Sequence, residues 1–167
     1  MAKVEIKQYL LDFCLTLKDG FYLPLLRFMK NSITFTMLKP DAIQSGHLGN
    51  ILRDILQAGF KIKALKYTKL DEILAGKFYE VHKERGFYGN LVSFMSSGPI
   101  VAAILTKDNA VEDFRKLIGS TDPAKADPGT LRNKYASSIE ANAVHGSDSN
   151  ENAEIESKFF FSEFEQF

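Results

Sequence analysis

A chain of 167 residues, 45% hydrophobic and 25% charged, is long enough for one domain that buries roughly two thirds of the surface its unfolded form would expose. Its 21 basic and 21 acidic side chains cancel, which argues against a general nucleic-acid or membrane-surface binder and leaves open a local basic pocket for a small anion; no specific nucleic-acid partner is expected. The single cysteine, Cys14, excludes an intramolecular disulfide, and no run reaches the ~18 apolar residues of a membrane span. The expectation is a cytoplasmic protein with no membrane partner.

Residues 1–30 differ in pattern from the rest of the chain. Val4, Ile6, Tyr9, Leu10, Phe13 and Leu17 are loosely helix-spaced, and Asp19-Gly20 breaks the pattern. Lys3, Glu5, Lys7 and Asp12 interrupt any signal-peptide core. The segment reads as an extension, either upstream sequence before a natural start at Met29 or an accessory helix. Residues 31–167 read as the single domain.

Ile33 to Leu38 predicts a strand, ended by Lys39-Pro40-Asp41 because proline cannot continue a central strand. Asp41 starts a helical turn, and Ile51, Leu52, Ile55 and Leu56 mark a helix closed by Gly59. Phe60 to Leu70 alternates as a half-buried strand does. Asp71 caps a helix through Phe78 and Tyr79 that ends near His82-Lys83-Glu84-Arg85-Gly86, and a second helix runs from Phe87 to Ser96. The unbroken apolar run Ile100 to Leu105 predicts a strand buried on both faces. Asn109 caps a helix that Gly119 terminates, and residues 120–141 form a long irregular loop, which in a compact domain is usually functional. A short strand at Ala143-Val144-His145 comes next, then a helix through Ala153 and Ile155. Gly146 leaves room for a ligand or a backbone segment beside the histidine. This order predicts an α/β (α+β) sandwich of βαββαβ type, one sheet with helices packed on one face. A doubly wound Rossmann sheet is the rival, but it needs a glycine-rich turn where Lys39-Pro40-Asp41 stands.

If the ends of the first strand, the long loop and the last strand meet, they gather Lys39, Arg115, Thr121, Arg132, Asn142 and His145. Three cations, a hydroxyl and an amide around an imidazole suit a polyphosphate better than a metal or a peptide. Each charge-assisted contact is worth roughly 1.5 to 3 kcal/mol, so several would hold a di- or triphosphate. The chain has no Walker loop and no kinase catalytic-loop pattern. If the chain moves phosphoryl groups it needs another device, and histidine nucleophilic catalysis supplies one, in two half-reactions with ping-pong kinetics.

Five segments together resemble the nucleoside diphosphate kinase family: Thr36-Met37-Leu38-Lys39-Pro40-Asp41, Phe94-Met95-Ser96-Ser97-Gly98-Pro99, Gly119-Ser120-Thr121-Asp122-Pro123, Pro128-Gly129-Thr130-Leu131-Arg132 and Asn142-Ala143-Val144-His145-Gly146-Ser147-Asp148-Ser149. The resemblance spans residues 33 to 161. It implies a ferredoxin-like fold with a four-stranded antiparallel sheet and a long loop before the last strand. It also implies transfer of the terminal phosphate of ATP or another nucleoside triphosphate to a nucleoside diphosphate, with magnesium carried chiefly by the nucleotide phosphates rather than by side chains.

By the same resemblance, His145 is the nucleophile, phosphorylated on its pros nitrogen, and Glu156 holds the other side of the ring. Ser147 and Tyr79 are the hydroxyls beside the histidine, and Lys39 is the cation that neutralises the moving phosphate. Arg115, Thr121 and Arg132 hold phosphates, Asn142 contacts the sugar, and the base lies on Phe87 with Ile139 opposite. His82 matches a variable position near the inner phosphate. The family implies a homo-oligomer, tetramer or hexamer, and the short tail after Phe161 leans toward the bacterial type. The chain departs from the pattern at Gly86, where many members have proline, at Ala141, where some have arginine, and in its amino-terminal extension. A nucleotide- or nucleic-acid-binding module without turnover is the alternative, and it has no need of a nucleophile with an orienting acid.

Overall fold

In a computed structural model, the structure describes residues 32–167. The expectations for residues 1–30, including the accessory helix and the start at Met29, lie outside the described residues. The elements run β1 (Ile33–Leu38), α1 (Pro40–Gln44), α2 (Leu48–Gln57), β2 (Lys61–Lys69), α3 (Glu72–Phe78), α4 (Tyr88–Ser96), β3 (Pro99–Thr106), α5 (Ala110–Ile118), α6 (Leu131–Tyr135), β4 (Val144–Gly146) and α7 (Asn150–Phe160). The four strands pair antiparallel in the spatial order β2-β3-β1-β4, the arrangement expected of a ferredoxin-like sheet.

The apolar run in β3 explains the layering. Val101, Ala103 and Leu105 point to one face, where they pack with Leu38, Ala42, Ile51, Ile55, Phe114, Ile118 and Leu131. Ile100, Ala102 and Ile104 point to the other, where Phe35, Met37, Ala75, Tyr79, Met95 and Phe160 meet them. Helices therefore cover both faces, α1, α2, α5 and α6 on one and α3, α4 and α7 on the other, which corrects the expectation of a single helical layer. A central strand apolar at every position leaves two faces to bury.

Most caps and breaks fall where the sequence puts them. The Asp71 carboxylate accepts from Leu74 N at 2.7 Å and starts α3. That helix stops at Phe78, and a 3-10 turn at Glu80–His82 stands where the sequence predicts a longer helix. Asn109 precedes α5 in a left-handed conformation, φ 54°, with no side-chain cap bond, so it turns the chain rather than capping it. Gly119 ends α5 at φ 79°, and a Cβ there would stand 2.5 Å from Thr130 Oγ1.

The loop at 120–141 is more ordered than its composition suggests. It contains α6, whose Tyr135 hydroxyl donates to Asp54 Oδ2 at 2.9 Å beside Lys134 Nζ at 3.1 Å, which ties the loop to α2. Gly146 does not open toward a ligand as its sequence context suggests. A Cβ there would lie 2.9 Å from Phe114 Cδ1 and 3.0 Å from Ile118 Cδ1, so its bareness admits the α5 side chains from the core instead.

Candidate active site

β4 pairs with β1 so that His145 lies opposite Met37, on the sheet face that α3 and α7 cover. The His145 carbonyl accepts from Thr36 Oγ1 at 2.8 Å, which fixes the strand edge. Three rings wall the imidazole: Phe78 with centroids 5.5 Å apart and nearly perpendicular, Phe35 at 6.0 Å, and Tyr79 at 6.3 Å. The side chain keeps 21% exposure, enough for a ligand to reach the ring.

The residues after His145 build the orienting carboxylate. Ser149 caps α7 by accepting from Asn152 N at 3.1 Å, and Asp148 takes the Asn152 side chain at 2.6 Å. The helix thus starts immediately after the strand, and Glu156, seven residues past the cap, returns to the strand after about two turns. Its Oε1 lies 3.0 Å from His145 Nε2, as close as an ion pair but not aligned as a hydrogen bond. Its Oε2 accepts from Ser147 Oγ at 2.5 Å. The same Oγ is 3.3 Å from Phe35 O, so its one proton goes to the closer carboxylate. Nε2 faces Glu156, which leaves Nδ1 as the ring nitrogen free of it.

Tyr79 is buried and its hydroxyl has no hydrogen-bond partner among the described residues. Burial, reinforced by the Glu156 charge, pushes its pKa far above the usual tyrosine value, so it remains a proton donor.

The cations converge beside this pair. Lys39 is 7% exposed at the end of β1, and burial, with repulsion from Arg132, lowers its pKa to about 8 against the partial support of Asp41. Arg132, on α6, donates to Gly119 O at 2.8 Å and Val144 O at 3.0 Å, while its Nε is buried without a partner among the described residues. Burial and then the charge of Arg115 lower its pKa to about 10. Arg132 therefore rivets the loop to β4 as well as bringing charge, a structural duty the sequence did not reveal. Arg115 stands exposed in the last turn of α5, and Thr121 is exposed just beyond Gly119. Asn142 is 4% exposed; its amide nitrogen donates to Ile139 O at 2.7 Å and its Oδ1 is buried without a partner among the described residues.

The residues that the sequence assigns to the base are placed less tightly. A row of rings leads outward from Tyr79 through His82, 6.4 Å away and nearly parallel, to Phe87, 5.7 Å further. Phe87 and Ile139 remain 49% and 58% exposed, two large apolar side chains left for a partner to cover. Several contacts had no signal in the sequence. In the sequence Phe35 and Thr36 read only as part of a strand, and Phe78 as part of a helix. Asp41, read as a helix start, reaches across to accept from Ala143 N at 2.9 Å through Oδ2.

The family pattern described as Nucleoside diphosphate kinase matches residues 32–166. A nucleoside diphosphate kinase of Flavobacterium psychrophilum is 63% identical over 139 residues, covering 83% of this chain and 100% of that protein. That of Chlorobaculum tepidum is 59% identical over 128 residues, covering 77% of this chain and 91% of its own. Among solved structures, the enzyme of Aquifex aeolicus superposes with a TM-score of 0.80 at 44% identity, covering 81% of this chain and 99% of that one. A halophilic nucleoside diphosphate kinase from Halobacterium salinarum in complex with CDP superposes with a TM-score of 0.78 at 36% identity, covering 82% and 91%. The chain belongs to the nucleoside diphosphate kinase family, enzymes that move the terminal phosphate of a nucleoside triphosphate to a nucleoside diphosphate.

Proposed function

We propose that the exchange runs through a phosphohistidine at His145 Nδ1. The observation that carries this is the position of Glu156, which faces Nε2 and leaves Nδ1 as the nitrogen with a lone pair to offer. The Nδ1 lone pair attacks the terminal phosphorus, the bond to the bridging oxygen breaks, and the electron pair leaves with the nucleoside diphosphate. The Nε2 proton stays on the ring, where the Glu156 carboxylate balances the positive charge that develops. A second diphosphate then attacks the phosphorus with a terminal oxygen and restores the neutral ring.

Lys39 and the neutral Tyr79 hydroxyl supply donors to the moving phosphoryl group, and Arg115, Thr121 and Arg132 hold the rest of the chain of phosphates. Asn142 Oδ1 accepts from a sugar hydroxyl, and the base lies between Phe87 and Ile139, with His82 near the inner phosphate. Stacking reads no base edges, so purines and pyrimidines are both accepted.

Magnesium enters with the nucleotide. Lys39, Arg115 and Arg132 offer no oxygen ligands, so the donor set fits an ion that rides on the phosphates. Held there, it would supply positive charge to offset that of the phosphates. We also infer a cytoplasmic homo-oligomer, tetramer or hexamer, of a domain spanning residues 31–167 with residues 1–30 as an extension. The exposed apolar side chains Leu56, Ile62, Leu65 and Tyr67 support association. The family match from residue 32 supports the boundary, and no helix among the described residues is long and apolar enough to cross a membrane.

The test uses ATP labelled on its terminal phosphate. Acid-labile label should appear on the protein, leave when a nucleoside diphosphate is added, and be missing from His145→Ala, which should still bind nucleotide. Label that persists in His145→Ala would place the nucleophile elsewhere. Nucleotide binding with no label on the wild-type protein would leave a binding module.

A further inference from the structure

The backbone between the sugar contact and the nucleophile is strained. Ala143 has φ 65°, a left-handed value that an alanine rarely takes, and Val144 N donates to Asn142 O at 2.7 Å across it. A two-residue hydrogen bond around a positive φ is the rare, strained form of γ-turn. The turn holds Asn142 on one side and, one residue beyond Val144, His145 on the other. Relaxing Ala143 to an ordinary negative φ would swing one of them relative to the other.

Both backbone groups of Ala143 are tied to the segment just after β1. Its carbonyl accepts from Lys39 N at 2.9 Å, and its N–H donates to Asp41 Oδ2 at 2.9 Å. The first bond would exist with any residue at position 39 except proline. The second depends on the Asp41 side chain, whose other oxygen, Oδ1, is buried with no partner among the described residues. Burying an unpartnered carboxylate oxygen costs free energy, which a mere helix-starting residue would avoid by facing water. Glycine, the residue that adopts a positive φ without strain, is absent at 143, so the conformation depends on these side bonds.

We propose that Asp41 is a positioning residue of the exchange reaction: its Oδ2 clamps the Ala143 turn, and so fixes Asn142 and His145 relative to each other and to Lys39. The proposal rests on His145 being the phosphorylated residue. Asp41 touches neither substrate nor the reacting atoms. Its negative charge also partly offsets the repulsion that Lys39 feels, so the clamp and the charge must be separated by experiment.

Two conservative variants separate them. Asp41→Asn keeps an acceptor oxygen and loses the charge, whereas Asp41→Glu keeps the charge and displaces the acceptor by a methylene. The rate of phosphohistidine formation is measured in a single turnover with labelled ATP, with circular dichroism at the assay temperature to count folded protein. Clamping predicts that Asp41→Asn stays within about threefold of wild type while Asp41→Glu slows at least roughly tenfold, the scale of effect that misplacing reacting groups produces. It also predicts that Asp41→Glu loses less in the Ala143→Gly background, where a positive φ no longer needs holding. A loss in Asp41→Asn equal to or greater than that in Asp41→Glu would overturn the clamp in favour of charge. Both variants within threefold of wild type, or no relief from Ala143→Gly, would also overturn it. Failure of the underlying reading is distinguishable, because wild-type protein would then carry no label on His145.

Discussion

A buried lysine brings an alkaline pH dependence to this site. Lys39 lies among Arg132, Asp41 and the Phe94 ring, 6.0 Å from its ammonium, and its pKa falls to about 8 chiefly because burial disfavours the charged form. Below pH 8 the ammonium is present to meet a phosphate, and as pH rises through 8 it loses its proton and the neutral amine offers no charge. Because kcat/KM reports the free enzyme, it should decline with a unit slope above about pH 8. In kcat, measured with nucleotide bound, the limb should move to higher pH, since the phosphates favour the charged lysine. Lys39→Gln should lower kcat/KM on the order of a hundredfold and remove that limb, leaving the later one from Arg132. The measurement is a pH profile of both constants for wild type and variant. A flat kcat/KM from about pH 7 to about pH 9.5 would show that Lys39 does not govern the alkaline side.

At the scale of elements, the close strand-to-helix passage from β4 to α7 explains why the site was so legible in the sequence. His145, Ser147, Asp148 and Ser149 are local in the chain: the imidazole faces Glu156, the Ser147 hydroxyl donates to the same carboxylate, Asp148 holds the Asn152 side chain and Ser149 caps α7. The strands were legible for a similar reason, because β3 writes its two buried faces into consecutive residues. Relations between distant elements were not. Nothing in the spacing of α3, α4 and α7 says that they cover the face opposite α2 and α5, and nothing around Gly146 says that Phe114 and Ile118 press on it. Asp41 reads in the sequence only as the start of a turn, because its partner, Ala143, lies in a distant part of the chain. The Gly146 contact has a measurable consequence. Gly146→Ala places a methyl 2.9 Å from Phe114 Cδ1, so α5 or β4 must shift. The expected destabilisation is about 1 to 3 kcal/mol in denaturant unfolding, with activity reduced because His145 is the adjacent residue. Pairing it with Phe114→Leu, which clears the ring, should recover part of the loss; unchanged stability in Gly146→Ala would mean that the strand yields without strain.

At the scale of the whole molecule, residues 32–167 hold every group that the proposed exchange calls for. The two apolar clusters close both faces of the sheet, and His145, Glu156, the cations Lys39, Arg115 and Arg132, and the exposed Phe87 and Ile139 all come from β1 onward. The family match begins at residue 32, and the 63%-identical relative from Flavobacterium psychrophilum is matched over its whole length by 83% of this chain. A protein that begins at Met29 retains every one of these groups, with a short lead into β1. It should therefore exchange phosphate with kcat/KM within about threefold of the full chain, because no transition-state contact is removed. Its melting temperature should move by no more than a few degrees, the shift that about 1 kcal/mol produces in a domain of this size. Oligomeric state, read by light scattering on both proteins, carries a separate message. The apolar side chains Leu56, Ile62, Leu65 and Tyr67 remain available for self-association in the shortened protein, so its assembly should match that of the full chain. A loss of activity accompanied by a change of assembly would give residues 1–28 a place in the subunit contact. A loss with the assembly intact would place them at the nucleotide site.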